Sequence, residues 1–169
     1  ALHIIYGSPR FSEDLDFSIF RVEQHIKKTF IEDLFTAVLA EIEKAGIKTE
    51  LGSKPDATAE GYYGDATFCI YDYQPISVSI NISARNGRDV KGEIDSVAND
   101  FVPTYNVFHL PEEVLVHEKI FDALLRRGKA RDYYDLYFIM RKGLLTIDQK
   151  MQLNTKKDEI IRNAEKVDF

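Results

Sequence analysis

The residues best suited to chemistry form two clusters, and the first is Gly7-Ser8-Pro9-Arg10-Phe11-Ser12-Glu13-Asp14-Leu15-Asp16-Phe17. From Asp14 to Phe20 apolar and polar residues alternate. The spacing predicts a half-buried strand with Leu15, Phe17 and Ile19 on one face and Asp14, Asp16 and Ser18 on the other. Residues i and i+2 share a face, so two carboxylates come within reach of one divalent ion, and a positive group must offset their repulsion. Oxygen ligands of this kind suit Mg²⁺ or Mn²⁺, which also grip nucleotide phosphates. In phosphoryl and nucleotidyl transfer such ions orient the attacking hydroxyl and stabilise charge on the transferring phosphorus and the leaving pyrophosphate. Ser8, Arg10 and Ser12, in the preceding loop, are typed to donate hydrogen bonds to those phosphates. The bland alternative is a solvated Asp-x-Asp at a strand edge. A Gly-Ser turn, an arginine and a serine leading into an acidic strand and then a long helix are more specific than the carboxylates alone.

The second cluster is Lys119, followed by Arg126-Arg127-Gly128-Lys129-Ala130-Arg131-Asp132-Tyr133-Tyr134-Asp135-Leu136. Lys119 stands among Leu115, Ile120 and Phe121, where an ammonium can reach a triphosphate as a point charge or simply snorkel to water. Asp132 and Asp135 are three apart and share a face near a helix N-terminus, where carboxylates are favoured in any case. Arg126, Arg127, Lys129 and Arg131 are the densest basic run and the best candidates for RNA or nucleotide phosphate contacts; a solvated helix corner is the competing reading. Tyr133, Tyr134 and Tyr137 at helical spacing suit packing more than base stacking.

The elements that must hold these groups follow from periodicity. Residues 2–6 read as the last turn of a helix closed by Gly7, and 7–13 as a loop. Residues 24–45 carry Phe30, Ile31, Leu34, Phe35, Val38, Leu39 and Ile42 at helical spacing, with Gly46 as a stop. A short strand at 47–51 precedes a Gly/Ser/Pro/Asp-rich loop over 52–64. Strands are expected at 66–73 and 76–83 around a Gln74-Pro75 turn, the second with Val78, Ile80 and Ile82 inward and Ser77, Ser79, Asn81 and Ser83 outward; Asn86-Gly87 marks the next reversal. A short strand near 94–98 and an edge strand at 105–110 come before helices that open at Pro111, Arg131 and Thr146, the last with Gln149 as a capping box. The organisation is thus an α/β part, 1–110, and a helical part, 111–169.

Composition narrows the rest. The chain has 169 residues, 44% hydrophobic and 30% charged, enough for a buried core, and its formal charge of −6 disfavours a broad nucleic-acid-coating face. The single cysteine, Cys69, excludes an intramolecular disulfide framework and a Cys-based zinc cluster, and reads as a small core hydrophobe. His3, His25, His109 and His117 show no zinc-ligand spacing, and dinucleotide, P-loop and serine-hydrolase motifs are absent. No apolar run approaches a membrane span, which makes the cytoplasm the expected compartment and no membrane the expected partner. The chain opens at Ala1-Leu2 in an apolar pattern and ends without a stop signal, so both termini are expected to be cut.

Taken together, Tyr6 to Phe17, Lys119 and Arg131-Asp132-Tyr133-Tyr134-Asp135-Leu136 resemble the AbiEii-type toxin nucleotidyltransferases, a toxin–antitoxin and abortive-infection family within the DNA polymerase β-like nucleotidyltransferase superfamily. The resemblance implies an α+β fold: a nucleotidyltransferase-like mixed sheet with flanking helices, then a C-terminal helical part. It implies Mg²⁺-dependent transfer of a nucleoside monophosphate from an NTP to an acceptor such as tRNA, and a cognate antitoxin. By that resemblance Asp14 and Asp16 are metal ligands, Ser8 and Arg10 belong to the phosphate-side loop, and Lys119 contacts the nucleotide phosphates. Asp132 completes the pocket from the helical side, supported by Asp135 or Arg131. Two departures stand out. The family's Gly-Gly-Thr run before the first Ala-Leu is not in the chain, and the expected third carboxylate aligns with Asn81, a poor base. Asp72 on the neighbouring strand is a substitute candidate. A binding domain that has lost catalysis and a small-molecule, aminoglycoside-like nucleotidyltransferase are the two other readings; the net acidity suits the polycationic acceptor of the latter.

Overall fold

A computed structural model describes residues 2–11, 14–19, 28–52, 56–58, 61–84, 91–100 and 102–167. The chain divides into two compact units, Pro9–Asp89 and the paired segments Ala1–Ser8 with Val90–Phe169. A hairpin at 93–109 thus groups with the helices that follow it, whereas texture alone groups it with the preceding strands.

In the unit Pro9–Asp89 the elements are β1 (Asp14–Ile19), α1 (Lys28–Lys44), β2 (Lys48–Leu51), β3 (Asp56–Thr58), β4 (Gly61–Cys69) and β5 (Ile76–Ala84). The sheet runs β1-β5-β4-β2 with β3 also on β4; β1 is parallel to β5 and the other pairings are antiparallel, which makes it mixed. Helix α1 places Ile31, Phe35 and Leu39, at i, i+4 and i+8, on Ala66, Ile80 and Ile82 of the sheet. The helix is followed by Gly46 at φ +86°, whose N–H donates to the Glu43 carbonyl at 2.9 Å. Phe30, Leu34 and Val38 are exposed, so the buried stripe is narrower than the apolar spacing predicts; residues 24–27 of the expected helix lie outside the described residues, as does the expected Asn86-Gly87 reversal.

The expected loop over 52–64 is overturned in part. β3 and the first residues of β4 form a ladder, and β4 continues onto β5 with Gly61 opposite Ser83 and Tyr63 opposite Asn81. Composition marks this stretch as loop-like, but backbone pairing with a distant strand outweighs weak local propensity. The β4–β5 connection includes Tyr71 at φ +46°, and Cys69 at the end of β4 is half-buried.

The other unit opens with a turn over residues 2–6 in which Gly7, at φ +71°, donates its N–H to the His3 carbonyl at 3.2 Å. It continues with the β6 (Glu93–Val97) and β7 (Tyr105–His109) antiparallel pair. Pro111 caps the next helix rather than forming its first residue. That helix runs through α2 (Glu112–His117), a π-helical segment (Glu118–Leu124) and α3 (Leu125–Arg127), and ends at Gly128 with φ +52°. α4 (Ala130–Lys142), α5 (Ile147–Thr155) and α6 (Lys157–Ala164) follow. Leu2, Leu115, Val116, Ile120, Leu124, Phe138, Ile139, Leu145 and Ile160 form the core. The Thr146–Gln149 capping box forms as expected, and the buried Gln149 also donates to the Glu113 carbonyl at 2.9 Å, tying α5 to α2.

Candidate active site

Strand register assembles the acidic face of the sheet. Asp14 lies opposite Ser79 and Ser79 opposite Asp65, so one row crosses β1, β5 and β4; the next row is Asp16, Asn81 and Tyr63. Register partners share a face, so all six side chains leave the side away from α1. Asn81 Nδ2 donates to Asp16 Oδ1 at 3.1 Å, and Ser79 Oγ donates to Asp65 Oδ1 at 2.8 Å. The amide must be the donor because a carboxylate only accepts, so Asn81 orients Asp16. Asp72 lies in the β4–β5 turn, beyond the last paired residue of β4, which removes it from this face.

The residues present suit a Mg²⁺-like ion. Such an ion retains several waters and takes one or two protein carboxylates beside substrate phosphates, and Asp14 and Asp16 are two oxygen donors on one strand face. Among the described residues no three His, Cys, Asp or Glu side chains make a larger cage. Arg10 donates to the Phe11 carbonyl at 3.2 Å on an exposed surface. Ser8 is buried in the other unit, with its N–H on the Leu2 carbonyl and its own carbonyl bonded to His3 Nδ1. Ser12 lies outside the described residues.

The second cluster is built around two buried carboxylates on α4, Asp132 and Asp135, each 1% exposed. The helix begins just after the Gly128 corner, which brings Arg127 back over it. Arg127 grips Asp132 with Nε at 2.9 Å from Oδ2 and Nη2 at 2.7 Å from Oδ1, and the Lys129 N–H adds a bond to Oδ2 at 3.0 Å. Burial pushes the Asp132 carboxyl up, but the Arg127 and Lys129 hydrogen bonds and the charges of Arg127 and Arg131 outweigh it and hold the group below the ordinary carboxylate range. Asp135 faces Lys119, with Oδ2 and Nζ 3.6 Å apart. Lys119 sits in the π-helical segment, where the Leu125 N–H reaches back five residues to the Ile120 carbonyl. Arg126 pairs with Asp122 at 3.2 Å, while Lys129 and Arg131 are exposed.

Sequence reasoning missed Asp65 and the Asn81–Asp16 bond. Only the spacing of β5 pointed that way, since Ser79 and Asn81 were already assigned to its open face.

The sequence profile described as "Nucleotidyl transferase AbiEii toxin, Type IV TA system" matches residues 1–164. The chain belongs to the AbiEii family. AbiEii membership makes it a nucleotidyltransferase of the toxin side of a type IV toxin–antitoxin system, with an NTP as substrate and an antitoxin as the implied partner. No curated protein and no solved structure matches the chain significantly. Among the described residues, no helix is long and apolar enough to cross a membrane.

Proposed function

We propose that the acidic sheet face is where an NTP is held for transfer of its nucleoside monophosphate to an RNA acceptor, tRNA foremost, in the cytoplasm. The observation that carries this reading is the placement of Asp14 and Asp16 on one strand face, with Asn81 hydrogen-bonded to Asp16 from the neighbouring strand. Asp14 and Asp16 would hold Mg²⁺ or Mn²⁺, which would supply positive charge to the NTP phosphates. Asn81 fixes the Asp16 carboxylate. Arg10 and Ser12 serve the phosphate side, whereas Ser8, buried in the other unit, does not. In the other unit, Lys119 carries the ammonium expected at a nucleotide phosphate, and Asp135 pairs with it. Asp132 is the remaining member of the expected site. Because both its oxygens already accept from Arg127, we assign it the task of fixing the corner that carries Arg131. Lys129 and Arg131, exposed beside that corner, meet RNA phosphates; Arg126 and Arg127 are engaged by Asp122 and Asp132.

The test is incubation with each α-labelled NTP, Mg²⁺ and bulk bacterial tRNA. Label is expected in the tRNA with at least one NTP, and none with Asp14→Ala or Asp16→Ala. Nucleotide binding without any incorporation makes the protein a binding domain, and incorporation into an aminoglycoside instead of tRNA assigns the small-molecule reading.

A further inference from the structure

Transfer requires the acceptor hydroxyl to lose a proton as its oxygen attacks the α-phosphorus, and Asn81, an amide, takes up none. Building on the transfer reading above, we propose that Asp65 accepts this proton, with Ser79 and Gly52 as the residues that position it. The acceptor oxygen forms a bond to the α-phosphorus, the bond to the bridging oxygen breaks with its electron pair leaving on pyrophosphate, and the hydroxyl proton passes to Asp65 and then to solvent.

Three features carry the assignment. Asp65 shares a face with Asp14 but stands two strands away, with Ser79 between them. At about 4.8 Å per strand, the two backbones are about 10 Å apart. The gap leaves room for a phosphorus and an attacking hydroxyl between the metal side and the base side. Secondly, Asp65 is oriented by a neutral donor. Ser79 Oγ donates to Oδ1 at 2.8 Å, the Tyr63 hydroxyl lies 3.4 Å from the same Oγ, and among the described residues no Lys, Arg or His forms an ion pair with Asp65. Its orientation thus comes from a hydroxyl, whereas that of Asp132 comes from a guanidinium. Thirdly, the backbone is fixed from the opposite side. Gly52 N–H donates to the Asp65 carbonyl at 2.7 Å, and a Cβ on Gly52 would stand 3.1 Å from that oxygen and 3.3 Å from the Asp65 Cβ, tighter than ordinary contact. Glycine therefore permits the approach that sets Asp65 in its row.

The experiment compares wild type, Asp65→Asn, Asp65→Glu, Asp65→Ala and Ser79→Ala for incorporation of label from the active NTP into bulk tRNA, and for Mg²⁺-dependent NTP binding by titration calorimetry. Asp65→Asn is expected to lower the transfer rate at saturating NTP by about 10²- to 10⁴-fold with NTP affinity unchanged. Asp65→Glu recovers part of the rate, and added formate restores part of it to Asp65→Ala. Ser79→Ala lowers the rate by about 10-fold, the size of a lost orienting partner, and carries the test in place of Asp65→Asn if circular dichroism shows the latter unfolded. Transfer by a folded Asp65→Asn at the wild-type rate overturns the assignment, as does loss of Mg²⁺-dependent NTP binding together with activity, which would make Asp65 a metal ligand. In either case wild-type transfer stands. Absence of incorporation by the wild-type protein overturns the transfer reading and this assignment with it.

Discussion

Two sets of aspartates in this chain have been given opposite surroundings. On the sheet face of the unit Pro9–Asp89, Asp16 and Asp65 take hydrogen bonds from an amide and a hydroxyl, neutral groups that orient a carboxylate and leave its charge for something else to balance. On α4 of the other unit, Asp132 and Asp135 are buried and matched by Arg127 and Lys119. A carboxylate whose charge is already balanced adds rigidity; one that is oriented but unbalanced is suited to attract a cation or a proton. On the reading proposed above, the first set is suited to chemistry, and the second holds the Gly128 corner and pairs with Lys119.

That contrast breaks most visibly at the acidic strand. Asp14→Ala and Asp16→Ala are each expected to reduce NMP incorporation by on the order of 10³-fold, several kcal/mol of lost charge stabilisation, while the melting temperature stays at or above wild type because mutual repulsion is relieved. A variant that melts early would move these residues into the architectural class. At the other pole, Asp132→Ala strands Arg127 and the Lys129 N–H, and urea unfolding should show a loss of about 3 kcal/mol. The same pair gives a pH signature. The folded-state pKa of Asp132 is depressed, so its contribution is present above the unfolded carboxyl value of about 3.9 and is lost as pH falls through the lower folded value. Stability measured from pH 6 downward should therefore fall more steeply for wild type than for Asp132→Asn.

Smaller effects sharpen the comparison. Asn81→Ala is expected to cost about 10-fold in transfer, the usual size for an outer partner of a metal ligand, with little change in stability; a large loss of stability would show that the amide supports the sheet. Thr146→Ala, which removes the cap of α5, should lower stability by about 1 kcal/mol and leave transfer untouched.

Much of this was legible from the residues. The alternation around Asp14 and Asp16, the periodicity of α1 and the Thr146–Gln149 box are local patterns, and local patterns are what a linear reading resolves. What escaped depends on distant partners. The segment 61–64 reads as a loop until β5 supplies its ladder, so Asp65, just beyond it, had no visible company. The π-helical geometry around Lys119 was hidden for a related reason, since the intrinsic preferences of Glu118–Leu124 do not distinguish it from an α-helix. The grip of Arg127 on Asp132 depends on a left-handed Gly128 that turns the chain back on itself.

The parallel pairing of β1 with β5 also orders events during synthesis. Parallel neighbours cannot be joined by a tight turn, and here Asp16 and its partner Asn81 are 65 residues apart. A growing chain that already carries Asp14 and Asp16 has no β5 to seat them against until those later residues have left the ribosome, and closing so long a loop is a late event in folding. On the proposed reading of that face, the hazard of a toxin-family member is postponed until the part of the polypeptide made later arrives to complete it.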